Sequence, residues 1–344
     1  MHRTLFVLTA ACLLAAPALA QNAPEIAYEA ANPLTLPDDL YLGEVGGVAA
    51  DSKGNILVYT RTGHPTVSLG SSRAFAHGGS RLFEFDRNGK YTREFAKDAY
   101  CFMFAEQIRI DPQDNIWVVD QMTNMVMKFD PQGHVAMLLG RKAENVNVPA
   151  GGGRGGRGGA TGAGQPTDLF DRPTDVAWDS AGNIFVADGM GNARVAKFDK
   201  AGKFVKSWGK RGNGQGEFAN VRSIAVDAQG NVYAADGGNQ RVQVFDNDGN
   251  FKTAFSNLGN PQAICLTKGA NPMLYVSNSN PMNDIDRDGE IYKMKLDGTL
   301  IGKFGKAGKL PKEFGTVNAI DCRDANTLYV GELGNLRVQK LVLH

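Results

Sequence analysis

The chain lacks a strong charge of either sign, is poor in histidine, and shows no stretch of helical periodicity. Its 37 Lys and Arg stand against 36 Asp and Glu. A leader of 20 residues would remove Arg3 and no acid, leaving 36 bases and 36 acids. A neutral chain makes no broad positive field, which argues against nucleic acid or an anionic membrane as the main partner. Of the four cysteines, Cys12 falls in that leader, leaving Cys101, Cys265 and Cys322. Three thiols permit one disulfide at most, and which pair would form it is open. Without a Cys-x-x-Cys pair there is no sulfur zinc knuckle and no thioredoxin-like motif. No Gly-x-Ser-x-Gly elbow, P-loop or strand–helix dinucleotide fingerprint occurs, so the common nucleophile and nucleotide chemistries have no carrier.

His2 and Arg3 precede the apolar stretch Thr4 to Leu14, then Ala15-Ala16-Pro17-Ala18-Leu19-Ala20. The pattern predicts a secretory signal over 1–20. Its apolar run is too short to span a bilayer, and no later segment reaches spanning length. The expectation is an exported protein, periplasmic or secreted, with no membrane span and monomeric.

What is abundant is glycine, 42 residues against 14 prolines, and it recurs in a pattern. One copy reads Gly182-Asn183-Ile-Phe-Val-Ala-Asp188, then Asn192-Ala-Arg194-Val and Phe198-Asp-Lys-Ala-Gly202. Another reads Gly230-Asn231-Val-Tyr-Ala-Ala-Asp236, then Asn239-Gln-Arg241-Val and Phe245-Asp-Asn-Asp-Gly249. Four more copies surround Asp51, Asp111, Gln262 and Asn318. Each holds β-branched and aromatic runs separated by Gly, Asn and Asp turns, the signature of short antiparallel strands. Six copies over the chain after the leader give about 54 residues each, the length of one four-stranded propeller blade. The predicted fold is all-β: a six-bladed β-propeller over 44–344, preceded by a segment at 21–43. The last copy runs out after three strands, so Glu25 to Ala30 is expected to supply the fourth and close the ring. An insertion at about 144–168, with Arg154 and Arg157 among glycines, reads as a flexible surface loop.

These phrases resemble the NHL repeat. Arg172-Pro-Thr-Asp-Val-Ala and Asn192-Ala-Arg194-Val resemble in particular the propeller of the peptidyl-α-hydroxyglycine α-amidating lyases. The resemblance covers nearly all of 44–344 and implies six blades. It also implies a catalytic zinc held by three histidines, one at the start of each of three inner strands. Counting five residues back from Asp51, Asp111, Asp179 and Asp227 places that slot at Gly46, Glu106, Thr174 and Arg222; the diverged copies place it at Gln262 and Asn318. The three zinc positions would be Glu106, Arg222 and Asn318, none of them histidine. Arg222 would repel a divalent metal. The family's catalytic tyrosine lands on Met190 and its calcium-contributing acid on Ala319; its arginine alone is matched, by Arg61. Zinc is therefore not expected. His64 and His77 lie near one another in sequence after Arg61.

Three further readings complete the sequence picture. Asp120, Asp188, Asp236 and Glu332 occupy one place in four blades and read as hairpin pins, three of them opposite Arg194, Arg241 or Arg337. Asp284, Asp286 and Asp288 resemble half of a calcium loop, with Lys295 where a chelating glutamate would stand. Arg61, Glu106, Thr174, Asp175, Arg222, Gln262 and Asn318 should converge near the axis, making a polar mouth suited to a small polar ligand or a peptide. The function expected is a binding module there. The alternatives are a lyase or hydrolase with a rebuilt site, and a protein-interaction platform.

Overall fold

A computed structural model of the protein describes residues 23–62, 66–69, 73–76, 79–140, 169–281, 284–322 and 325–344. The leader and the Gly/Arg insertion lie outside these residues. Six four-stranded antiparallel sheets follow one another around a ring, each with its first strand innermost. The inner strands are Glu44–Ala50, Ala105–Ile110, Asp175–Trp178, Ser223–Val226, Ile264–Leu266 and Val317–Asp321. They define blades 1 to 6. All begin at one face, here the upper, and end at the lower. No helix among the described residues is long and apolar enough to cross a membrane.

The repeated Asp-x-x-Gly-Asn phrase makes the lower turn from the inner strand to the next. Asp179 accepts hydrogen bonds from the Ala181 and Asn183 amides at 3.0 and 2.9 Å, and Gly182 sits at φ +85°. Gly54 and Gly230 take the same left-handed conformation, which a Cβ would strain. In blade 2 Asp114 stands there instead at φ 61°, a region Asp tolerates better than most residues.

Each blade is apolar on both faces, so neighbours must pack. Separate buried clusters lie at the blade boundaries. Between blades 1 and 2, Tyr59, Leu82 and Phe95 meet Ile108, Met127 and Phe129. Between blades 5 and 6, Tyr275, Ile291 and Phe304 meet Ile320, Leu328 and Leu341. No blade can keep its core without the next, which makes the ring one cooperative unit.

Closure is by the N-terminal strand. Tyr28–Ala31 pairs antiparallel with Arg337–Leu343, the last strand of blade 6, with Tyr28 opposite Leu343. This strand starts three residues later than the sequence suggests. The residues before it bind blade 5 instead: the Ile26 amide donates to the Lys303 carbonyl at 2.8 Å. Beyond it, the Thr35 amide donates to the Gly89 carbonyl of blade 1 at 2.7 Å. One short strap thus ties blades 5, 6 and 1.

Candidate functional site at the hub

The slot positions are set by strand register. In blades 1, 2 and 6 the pairing of the inner strand skips one residue, between Val45 and Gly47, Ala105 and Gln107, and Val317 and Ala319. Gly46, Glu106 and Asn318 are therefore bulge residues, and a bulge re-aims its side chain. Gly46 has none because space forbids it. A Cβ there would stand 2.5 Å from the Ala105 carbonyl oxygen of the next blade.

Glu106 is buried, and its Oε2 accepts from Arg61 Nη2 at 2.9 Å. Arg61 also donates from Nη1 to Glu44 at 3.0 Å and from Nε to the Ala105 carbonyl at 2.8 Å. Its guanidinium lies 3.7 Å over the Phe104 ring. Asn318 Nδ2 donates to the Gly46 and Glu106 carbonyls at 2.7 and 2.9 Å, tying three blades. Arg222 donates to Gln262 Oε1 through Nη2 and to Met190 Sδ through Nη1 at 2.9 Å. No carboxylate of the described residues forms an ion pair with it. Burial in the hub presses the Arg222 guanidinium below its ordinary pKa; Glu106 opposes this and Arg61 adds to it. The structure thus brings together Arg61, Glu106, Arg222, Gln262 and Asn318.

Thr174 and Asp175 are used by the ring itself. Thr174 Oγ1 donates to the carbonyls of Ala187 and Val221 at 3.1 and 2.6 Å. Asp175 is fully buried and receives Arg109 Nε and Nη2 at 2.9 and 2.7 Å. It also accepts from Ser223 Oγ at 2.6 Å and from the Ile224 and Val176 amides. Arg109 is the residue that sequence reasoning missed. From blade 2 it crosses the axis to Asp175 of blade 3, Ser223 of blade 4, and the carbonyls of Ile264 and Ile320 in blades 5 and 6. A signal for it existed. Two residues before the repeat Asp, the other blades carry Ala49, Ala177, Ala225, Cys265 and Asp321, so Arg109 alone is long there.

Comparison with known proteins agrees with this architecture. Residues 168–279 match the family DUF5128, described as a 6-bladed beta-propeller. The chain is 26% identical over 340 residues to Peptidyl-alpha-hydroxyglycine alpha-amidating lyase 1 of Drosophila melanogaster, covering 89% of this chain and 58% of that one. It is 33% identical over 189 residues to human NHL repeat-containing protein 3, half of each chain. It is 30% identical over 223 residues to rat Peptidylglycine alpha-amidating monooxygenase, spanning 60% of this chain and 21% of that protein. Among solved structures, a gluconolactonase of Xanthomonas campestris superposes with TM-score 0.60 at 14% identity, over 97% of this chain and 99% of that one; at such identity the likeness is one of fold. The chain is a six-bladed propeller whose repeats are similar to those of NHL-repeat proteins.

In this propeller the zinc implied by the lyase resemblance does not fit the slot residues. A zinc site needs neutral imidazole, thiolate or carboxylate donors. Of the three positions one is a guanidinium, one an amide donating to two carbonyls, and the third a carboxylate held by Arg61. No group of three His, Cys, Asp or Glu suited to a metal occurs among the described residues. His64 and His77 lie outside those residues; a hairpin of Thr66–Leu69 and Arg73–Ala76 runs between them. In the Asp284 to Asp288 turn, Arg287 lies 3.9 Å from Asp284 and 3.5 Å from Asp288.

The carboxylates on the upper hairpins are pins. Asp188 and Arg194 are both fully buried, 2.9 Å apart; Asp236–Arg241 and Glu332–Arg337 repeat the pair at 3.0 and 2.7 Å. Asp120 has no arginine there and accepts instead from Tyr59 of blade 1 at 2.8 Å. The cysteine question is also answered: Cys265 and Cys322 form a disulfide, joining the inner strands of blades 5 and 6, and Cys101 is buried.

Proposed function

We propose that this propeller is a binding module whose upper hub mouth takes a small polar ligand or a peptide terminus through a carboxylate. The observation that supports it is Arg222. A guanidinium offers five donors and matches a carboxylate two at a time. Arg222 uses one on Gln262 and one on Met190, a thioether that returns no charge. The nearby Glu106 carboxylate is already engaged by Arg61. Gln262 and the Arg61–Glu106 pair would then read the amine or amide part of a ligand.

The reading includes export. It is supported by the leader pattern and by the Cys265–Cys322 bond, since disulfides persist in oxidising compartments. A second reading, a protein-interaction platform, is favoured by exposed apolar side chains on upper-face loops, among them Tyr41, Tyr100 and Leu310.

The test is a thermal-shift screen of wild type and the Arg222→Ala, Glu106→Ala double variant against amino acids, short peptides and organic acids. A carboxylate ligand should raise the wild-type melting temperature and leave the variant where it was. If no compound separates the two proteins, the hub mouth is not the site, and the platform reading takes its place.

A further inference from the structure

At the lower end of the hub the residue types reverse. The position just before the repeat Asp reads Ala50, Ile110, Trp178, Val226, Leu266 and Cys322 around the ring, apolar in every blade. Ala50, Ile110 and Cys322 are buried, whereas Trp178, Val226 and Leu266, in three consecutive blades, are partly exposed. The layer above them is small in three of those blades, with Ala177, Ala225 and Cys265, and Arg109 with Asp175 floors the space. Three adjoining cavities of about 300, 110 and 160 Å³ open here, and all three share Trp178 and Leu266 in their walls. The Trp178 indole stacks on Trp117, with ring centroids 5.8 Å apart and planes at 26°. An apolar concavity lined by an aromatic ring is the usual form of a small-molecule site.

The charges on its rim indicate what kind of molecule fits. Asp179 is saturated by Asn183 and Asn247, and Asp227 by Asn231 and Tyr233. Arg109 is neutralised by Asp175, and Asp321, on the 110 Å³ cavity, accepts from the Ala50 amide and adds its attraction to Arg109. Lys268, which lines two of the cavities, is exposed and makes no hydrogen bond or ion pair among the described residues. The rim therefore offers one uncommitted cation beside apolar walls. We propose that this lower funnel binds a small amphipathic anion, its flat apolar body against Trp178 and Leu266 and its acidic group toward Lys268. The site is separate from the upper mouth, and the two stand or fall independently.

The experiment uses two dyes with one core. 1-Anilinonaphthalene-8-sulfonate carries an anion, and N-phenyl-1-naphthylamine lacks it. Wild type should bind both saturably, one per chain, with enhanced dye fluorescence. Lys268→Gln should weaken the sulfonate about fivefold, the worth of one exposed charge pair, and the neutral dye less than twofold. Ala228→Tyr, at an exposed turn position on the 300 Å³ cavity, should abolish both at an unchanged melting temperature. Trp178→Ala should cost tenfold or more for both, about the loss expected for an aromatic wall, and Arg222→Ala nothing. Absence of saturable binding to folded wild type would overturn the proposal. So would binding that survives Ala228→Tyr, or a Lys268→Gln effect equal for the two dyes.

Discussion

Asp175→Ala should unfold this propeller more readily than any loss of side-chain volume explains, because it strands a largely buried cation at the axis. Asp175 is fully buried and accepts five hydrogen bonds, two from Arg109. Without it Arg109 keeps hydrogen bonds to carbonyls at 3.2 and 3.4 Å and a hydroxyl at 3.2 Å, none of which returns a full charge, and a longer-range attraction to Asp321. Breaking a buried pair on one side costs about 3–5 kcal/mol. For a chain of this size that is a melting temperature lower by about 4–7 °C. Urea unfolding followed by circular dichroism and tryptophan fluorescence measures it, and both probes should move together because the ring is cooperative. The companion variant is Arg109→Met with Asp175→Leu, which removes both charges and their desolvation. It should recover at least half of the loss, so that, with the cost of Arg109→Met alone added, the coupling exceeds about 2 kcal/mol. A single variant within about 1 kcal/mol of wild type, or a double variant whose losses simply add, would show that the axis does not depend on this pair.

Two other predictions bear on closure. Deleting residues 21–36 removes the strap that buries Leu34 and packs Ile26 and Tyr28 on the blade 5–6 cluster; calorimetry should show one transition, weakened by about 5 kcal/mol, and an unchanged melting temperature would refute closure by this strand. Replacing Cys265 and Cys322 by Ser releases a crosslink between residues 57 apart in sequence. The chain-entropy account puts its worth at about 4 kcal/mol, and a urea midpoint equal to that of wild type would show that the bond contributes nothing.

The apolar runs and Asp-x-x-Gly-Asn turns made six blades readable along the chain, because strand and turn signals are local and recur with each copy. Counting back from the repeat Asp also located Glu106, Arg222, Gln262 and Asn318, since a fixed turn sets the register of the strand before it. The bulges at Gly46, Glu106 and Asn318 were not readable, because a bulge shows only once its partner strand is in place. Nor was the division of labour among the polar residues. Thr174 and Asp175 looked as available as Arg222, and their consumption by Val221, Ser223 and Arg109 depends on neighbours about 50 or more residues away in sequence.

The sequence by itself thus determined the blade, its number of copies, and the absence of histidine from the slots. Only the tertiary structure decided that Cys265 pairs with Cys322, that Arg109 fills the axis, and that Arg222 faces the hub with no carboxylate among the described residues as its partner. The reason is geometric. A repeat specifies what each blade contains, whereas contacts across a ring follow from how six slightly different copies converge on a single point.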